Sequence, residues 1–211
     1  MSLPVLHSFA GYGVCKTAHR GRSLDTLTLV VCVLLANLAD CDFLPGILQG
    51  RAALFHRTAS HSLLAALACG AAAGLLLWAY RRARLIPGML MGFSAYATHL
   101  VLDLFGKAPK GLQLFWPFSN RLVYGPFMDF KMNLAEHPIE KASGFESFAA
   151  ALFSPGLLQS LCFELTFVFL FWSMAAALRR ESGTRREREG LVFSRGVWAC
   201  VFWTVSIVVR Q

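Results

Sequence analysis

His99-Leu-Val-Leu-Asp103 closes a long apolar run, Leu85 to Phe105, in which a titratable pair has no place unless it does something. Residues four apart on a helix share one face, so the imidazole and the carboxylate point the same way. Together they can hold a metal ion, and ionisable groups inside membrane segments usually mark function. The plainer use of the same pair is a His–Asp hydrogen bond tying two helices together. Five further residues widen the choice: His7, Asp40 and Asp42 in Asp40-Cys41-Asp42, His56, and His61. Nitrogen and carboxylate oxygen suit a divalent cation such as zinc, with manganese as the alternative. Seven candidate ligands exceed the four of one tetrahedral site. Either some of them orient the others or two ions bind.

The chain that must position these groups has 211 residues, of which 56% are hydrophobic and only 15% charged. Its mean hydropathy is +0.53. Soluble domains carry about a quarter charged residues, so this is an integral membrane protein, read as a single membrane-embedded domain over 1–211. The formal charge of +8 sets topology rather than binding nucleic acid. Six cysteines are scattered singly, with no CxxC pair and no disulfide framework.

Residues 2–18 predict a short, half-inserted helix. Leu24 to Ala39 is a stronger run, though short against the roughly 20 residues a crossing takes. It follows His19-Arg20-Gly21-Arg22, a combination that resembles a signal sequence displaced inward; the reading adopted keeps it as a retained span. Pro45 and Gly46 are expected to break any helix in the stretch that follows. Ser62 to Tyr80 and Leu85 to Phe105 read as spans, the first with Thr58 or Ser60 as N-cap. Residues 106–156, rich in proline, read as an extracytoplasmic loop region, and Leu157–Leu178 and Leu191–Val209 as the last spans. The fold class is therefore an all-α, polytopic membrane helix bundle of about five or six helices.

Three basic clusters lie on one side if the spans alternate: Lys16, Arg20 and Arg22; Arg81, Arg82 and Arg84; and six arginines from Arg179 to Arg195. The positive-inside rule makes that side cytoplasmic. His7, Asp40, Asp42, His56, His61, His99 and Asp103 then all arrive at the extracytoplasmic end, delivered by four separate segments. Of the six histidines only His19 falls on the other side. Each residue alone has a structural use, as a solvated Asp-x-Asp turn, an amphipathic-helix histidine or a capping neighbour; the convergence is what points to a metal site. Asp40 and Asp42 can aim the same way only if extended, since side chains two apart share a face in a strand. His56 and His61, five apart, do not share a helix face, which puts His56 in a loop and His61 on the first helical turn.

His7-Ser8, Asp40-Cys41-Asp42, His56-Arg57-x3-His61-Ser62, His99-x3-Asp103 and Trp116-Pro117-Phe118 together resemble the YdjM-like family of bacterial inner-membrane proteins. The resemblance covers about residues 5 to 120 and implies a metal-dependent hydrolase in the cytoplasmic (inner) membrane. The order His, Asp, His, His-x3-Asp is also similar, more weakly, to zinc-dependent phospholipase C and its nuclease relatives. Their further His-x3-Glu ligand pair has no match here; Glu136, His137 and Glu140 come nearest, at a different spacing.

The function expected is hydrolysis of a phosphoester or ester in a membrane lipid or lipid-like headgroup substrate. His56, His99 and Asp103 would hold one ion, with Asp40 or Asp42 and His61 or His7 at a second position. Whichever of Asp40 and Asp42 is not engaged by metal serves as general base. Arg57 can pair with a phosphate oxygen, or face headgroups as a surface arginine. Glu164, inside the fifth span, reads as a helix–helix hydrogen bond or as a partner of a ligand. Trp116 and Phe118 read as interfacial aromatics. The rival class is a non-catalytic, metal-binding structural or regulatory membrane protein with a saturated ligand set. A transporter is disfavoured because Ser62 to Tyr80 carries no polar path, and a nuclease because this face lacks a basic groove with interleaved aromatics.

Overall fold

The computed structural model describes residues 4–19, 23–51, 54–105, 111–125 and 145–178. Among them the chain forms α1 (Pro4–Ala18), α2 (Thr26–Leu38), α3 (Phe43–Leu48), α4 (Leu63–Ala79), α5 (Leu85–Phe105), α6 (Phe145–Leu152) and α7 (Pro155–Leu178). Short 3₁₀ turns at Ala39–Asp42 and Ala59–His61 supply the joints. No strand is present among the described residues; one isolated antiparallel bridge pairs Leu112 with Val123. The last span expected, Leu191–Val209, lies outside the described residues, as do the six arginines of the third basic cluster, and Glu136, His137 and Glu140.

The architecture is the all-α membrane bundle. Thr26–Leu48 (23 residues) and Leu85–Leu104 (20 residues) are long and apolar enough to cross a membrane. Phe145–Leu152 and Pro155–Leu170 meet at a 52° bend and make a third crossing if taken as one broken span. α4, at 17 residues, is a shorter apolar helix. Leu34, Leu67, Trp78, Ile86 and Leu90 point outward and stay exposed, as a bundle solvated by lipid requires.

Two expectations change here. Pro45 and Gly46 do not end the helical path after α2; they lie inside α3, which follows through the 3₁₀ turn. Pro45 is the third residue of α3, and a first-turn amide has no intrahelical acceptor to lose. Ser62, not Thr58 or Ser60, caps α4: its Oγ accepts from the Ala65 amide at 3.1 Å. In addition, the region 106–156 contains a helix, α6, where a loop was expected.

α4 and α5 form the tightest pair, and glycine makes it so. A Cβ built at Gly70 would stand 2.7 Å from the Phe93 amide nitrogen, and one at Gly74 2.6 Å from that of Met89. Gly92 and Gly88 approach Gly70 and Gly74 in turn. Gly70-x3-Gly74 against Gly88-x3-Gly92 is the small-residue packing that lets helix backbones touch where apolar solvent removes any hydrophobic drive to associate. α1 approaches α2 the same way, with Gly11 against the Cys32 carbonyl. Cys15, Cys32, Ala36, Ala66, Leu77, Ala95, Tyr96 and Leu100 fill the core between these helices.

Antiparallel succession puts the start of α1, the end of α2, the start of α4 and the end of α5 at one end of the bundle. At the other end Asp25, the N-cap of α2, meets Arg82 beyond α4 at 3.2 Å. Lys16 and Arg82 therefore lie at the end of the bundle opposite His7, His56, His61 and His99; Arg20 and Arg22 lie outside the described residues.

Candidate metal centre

His99 and Asp103 lie on the inner face of the last turns of α5 and are buried, with His7, His56, Arg57 and His61 around them. Asp40 and Asp42 come from the 3₁₀ turn that ends α2. That turn is not extended, so the two carboxylates diverge, against the expectation that they would aim together. Asp40 turns toward His99 and His61; Asp42 turns toward His56, Arg57 and Ser60.

Asp40, His61, His99 and Asp103 each offer one ligand atom, all within 4.8 Å of one another. The Nε2 atoms of His61 and His99 stand 3.2 Å apart. His61 Nε2 lies 3.4 Å from Asp103 Oδ2 and 3.8 Å from Asp40 Oδ1. His99 Nε2 lies 3.5 Å from Asp40 Oδ1 and 3.9 Å from Asp103 Oδ2. Two atoms each 2.0–2.1 Å from a tetrahedral ion are separated by about 3.3–3.4 Å; these edges run from 3.2 to 3.9 Å, so the four atoms surround a point an ion would fill with a small inward shift.

The neighbours fix which nitrogen is available. His99 Nδ1 is 2.8 Å from the Ala36 carbonyl, which can only accept, so Nδ1 carries the proton. The Ser60 hydroxyl donates to Asp42 Oδ2 at 2.6 Å, so His61 Nδ1, 3.0 Å from Ser60 Oγ and 3.2 Å from Asp42 Oδ2, is a donor too. Both Nδ1 protons are thus spoken for, and both Nε2 lone pairs face one point. Two lone pairs cannot approach to 3.2 Å without a proton or a cation between them. Without a cation, burial disfavours charge on His61, yet the carboxylates of Asp103 and Asp42 outweigh it and push its pKa up to about 9. Both carboxylate oxygens of Asp40 are buried atoms with no hydrogen bond among the described residues. A buried carboxylate left so is costly, and a cation removes the cost. The donor set fits the metal.

Asp42, His56 and His61 form a second grouping close enough to hold an ion, but hydrogen bonds already fill it. His56 Nδ1 donates to Asp42 Oδ1 at 2.9 Å, and its Nε2 faces the Arg57 Nε–H at 3.4 Å. Asp42 Oδ2 accepts from Ser60 and from the Arg57 amide at 3.2 Å. His56 also stacks on Phe43, ring centres 4.1 Å apart. His7 belongs to neither grouping. Its ring stacks on that of His99 at 3.8 Å, and its Nε2 lies 3.8 Å from Asp103 Oδ1. All seven residues singled out from sequence therefore meet in one place. They separate into four around a point and three that orient them, with His61 rather than His56 beside His99 and Asp103.

Arg57 is the charged group enclosed with them. It is 1% exposed, its Nη2 is 3.8 Å from Asp103 Oδ2, and its φ of 65° puts a non-glycine residue in the left-handed region. Backbone strain of this kind concentrates at functional sites. The segment after α5 closes over the same corner: the Gln113 amide donates to the Arg57 carbonyl, and the Leu63 amide to the Leu114 carbonyl at 2.9 Å. Phe115, Trp116 and Phe118 on that segment are exposed.

Sequence reasoning missed Ser60 and Tyr96. The Tyr96 hydroxyl donates to the Ser60 carbonyl at 2.7 Å and holds the 3₁₀ turn that carries His61. A signal existed, since Tyr96, His99 and Asp103 fall at i, i+3 and i+7 on one helix face. Glu164 does make the interhelical hydrogen bond expected of it, accepting from the Leu6 amide of α1 at 3.1 Å.

No curated protein and no solved structure matches the chain, so the likeness to zinc-dependent phospholipase C rests on residue order alone. A family model, described as YdjM inner membrane protein, matches residues 3–182. That span holds every helix described and every side chain of the cluster. The chain belongs to the YdjM inner membrane protein family.

Proposed function

We propose that Asp40, His61, His99 and Asp103 hold a single divalent cation, zinc before manganese, and that the protein is a membrane-bound metal-dependent hydrolase. The observation that carries the cation is the 3.2 Å approach of two imidazole Nε2 atoms whose Nδ1 positions are both taken. Charge supports a single ion. Three aspartates against one arginine leave two negative charges with the imidazoles neutral, and one dication balances them. Asp42 and His56 orient, as carboxylates behind metal-bound histidines do.

A dication in such a set supplies Lewis-acid activation of water near neutral pH. The protein's own groups supply the rest. Asp40 is the ligand whose side chain is not fully enclosed, at 14% exposure although both carboxylate oxygens are buried, so substrate approaches on its side. Arg57 presents a guanidinium held beside Asp103, suited to an anionic phosphate oxygen. The substrate class is therefore a phosphoester or ester of a lipid or headgroup, reached from the bilayer edge. With Lys16, Arg81, Arg82 and Arg84 at the opposite end of the bundle, the positive-inside rule turns the site outward from the cytoplasm.

One observation favours a second reading. Four protein side chains already complete a tetrahedral shell, the mark of a structural or regulatory metal site rather than a catalytic one. Cobalt(II)-substituted protein separates the two. Inorganic phosphate shifts the cobalt absorption spectrum if a position opens to substrate. The zinc-loaded protein in lipid vesicles then cleaves phosphodiester headgroups, and Arg57→Gln lowers turnover about a hundredfold with metal retained. An unshifted spectrum together with no hydrolysis rejects the enzyme and leaves the structural site.

A further inference from the structure

α7 supplies none of the cation ligands, yet it packs against α1 and carries the buried carboxyl nearest the start of that helix. Glu164 is 3% exposed. Its Oε2 accepts from the Leu6 amide at 3.1 Å, while its Oε1 is a buried atom with no hydrogen bond among the described residues. Leu6 is the third residue of α1, so its N–H is one of the first-turn donors that the helix cannot satisfy itself. A carboxyl oxygen arriving from another helix does what an N-cap side chain does.

The next residue is His7. On its other side, Ser8 Oγ accepts from Asn37 Nδ2 of α2 at 3.0 Å. The backbone around His7 is thus held from α7 on one side and α2 on the other. Between these two clamps the His7 ring lies flat against His99, 15° from parallel, with Nε2 toward Asp103.

We propose that Glu164 is a positioning residue of the cation site: by accepting the Leu6 N–H it fixes His7 against His99 and Asp103. This rests on the cation site proposed above. It brings α7 into the machinery of that site, where helix-to-helix anchoring alone would leave it outside. A buried polar carboxyl in the apolar interior of a bundle is expensive as an anchor, and an apolar contact would hold α7 to α1 more cheaply. Its bond to the amide one residue before His7 gives it a use that an apolar contact could not serve.

The test measures metal affinity by competition with a chelator, and the cobalt(II) absorption spectrum, on full-length protein in detergent. Glu164→Leu weakens affinity roughly tenfold to a hundredfold, as loss of a ligand's outer partner does, and alters the cobalt bands. Glu164→Gln keeps an acceptor oxygen and restores both. In a His7→Ala background, Glu164→Leu adds nothing further, because its effect passes through His7. Wild-type affinity and spectrum in a folded Glu164→Leu protein overturn the proposal, and so do additive losses in the double variant. Wild-type protein that holds no metal overturns the cation site and this proposal together, whereas loss of only the Glu164 effect leaves the cation site standing.

Discussion

Asp42 Oδ2 lies 3.2 Å from His61 Nδ1, on the side of the imidazole away from the point that His61, His99, Asp40 and Asp103 surround. The carboxylate thereby sets the tautomer that leaves Nε2 a lone pair. It also receives His56, Ser60 and the Arg57 amide, so its oxygens are committed before any cation arrives. Asp42→Asn keeps the shape but replaces one acceptor oxygen with a donor. The expected result is a protein that still binds one cation, with affinity reduced roughly tenfold to a hundredfold. Chelator competition measures it; complete loss of binding would make Asp42 a ligand rather than an orienting group.

The raised pKa of His61, about 9 against an ordinary 6.5, gives metal binding a pH dependence. The sign follows from linkage. In the metal-free fold the charged imidazole sits between carboxylates, so its stabilisation is fully present below about pH 6.5 and fades as pH rises through about 9. A cation needs the neutral ring, so between those limits binding expels close to one proton. Apparent affinity should fall about tenfold for each unit of pH lowered below about 9, and more steeply where ligand carboxylates also take up protons. Calorimetry in buffers of differing ionisation enthalpy counts the proton; a count near zero at about pH 7 contradicts the assignment.

The contact between α4 and α5 makes a prediction remote from the cation. Gly74→Val would drive a side chain into the Met89 backbone and Gly70→Leu into that of Phe93. Overpacking of this kind costs about 1–3 kcal/mol, with more expected where backbone has to move. His99 rides on α5 and His61 on the turn leading into α4, so metal affinity should fall together with thermal stability. Gly13 faces open space, where an added Cβ would meet no neighbour. It provides the control, because Gly13→Ala should leave metal affinity unchanged and, if anything, raise thermal stability by about 0.5–1 kcal/mol.

Much of this was legible before the structure. Leu85–Phe105 is legible at its full length because no Asp, Glu, Lys or Arg interrupts it before Asp103. The meeting of His7, Asp40, Asp42, His56, His61, His99 and Asp103 followed from hairpin alternation, which needs only the order of apolar runs and basic loops. What escaped was geometry finer than a helix turn. Which of His56 and His61 joins His99 depends on the 3₁₀ turn at Ala59–His61, and no periodicity encodes that turn. The divergence of Asp40 and Asp42 has the same origin. Pro45 misled because a proline signals a break in general, whereas a first-turn position tolerates it. Glu164 was noticed as a buried carboxyl, but its partner is a backbone amide, and backbone partners leave no trace in residue types.

The central claim is that four side chains from three separate segments enclose one cation. Elemental analysis of protein purified without chelator, compared with His99→Ala, addresses it most directly. The account predicts one zinc or manganese ion per chain in the wild type and none in His99→Ala, with both proteins folded. Two ions per chain, none in the wild type, or equal content in the two proteins would contradict it.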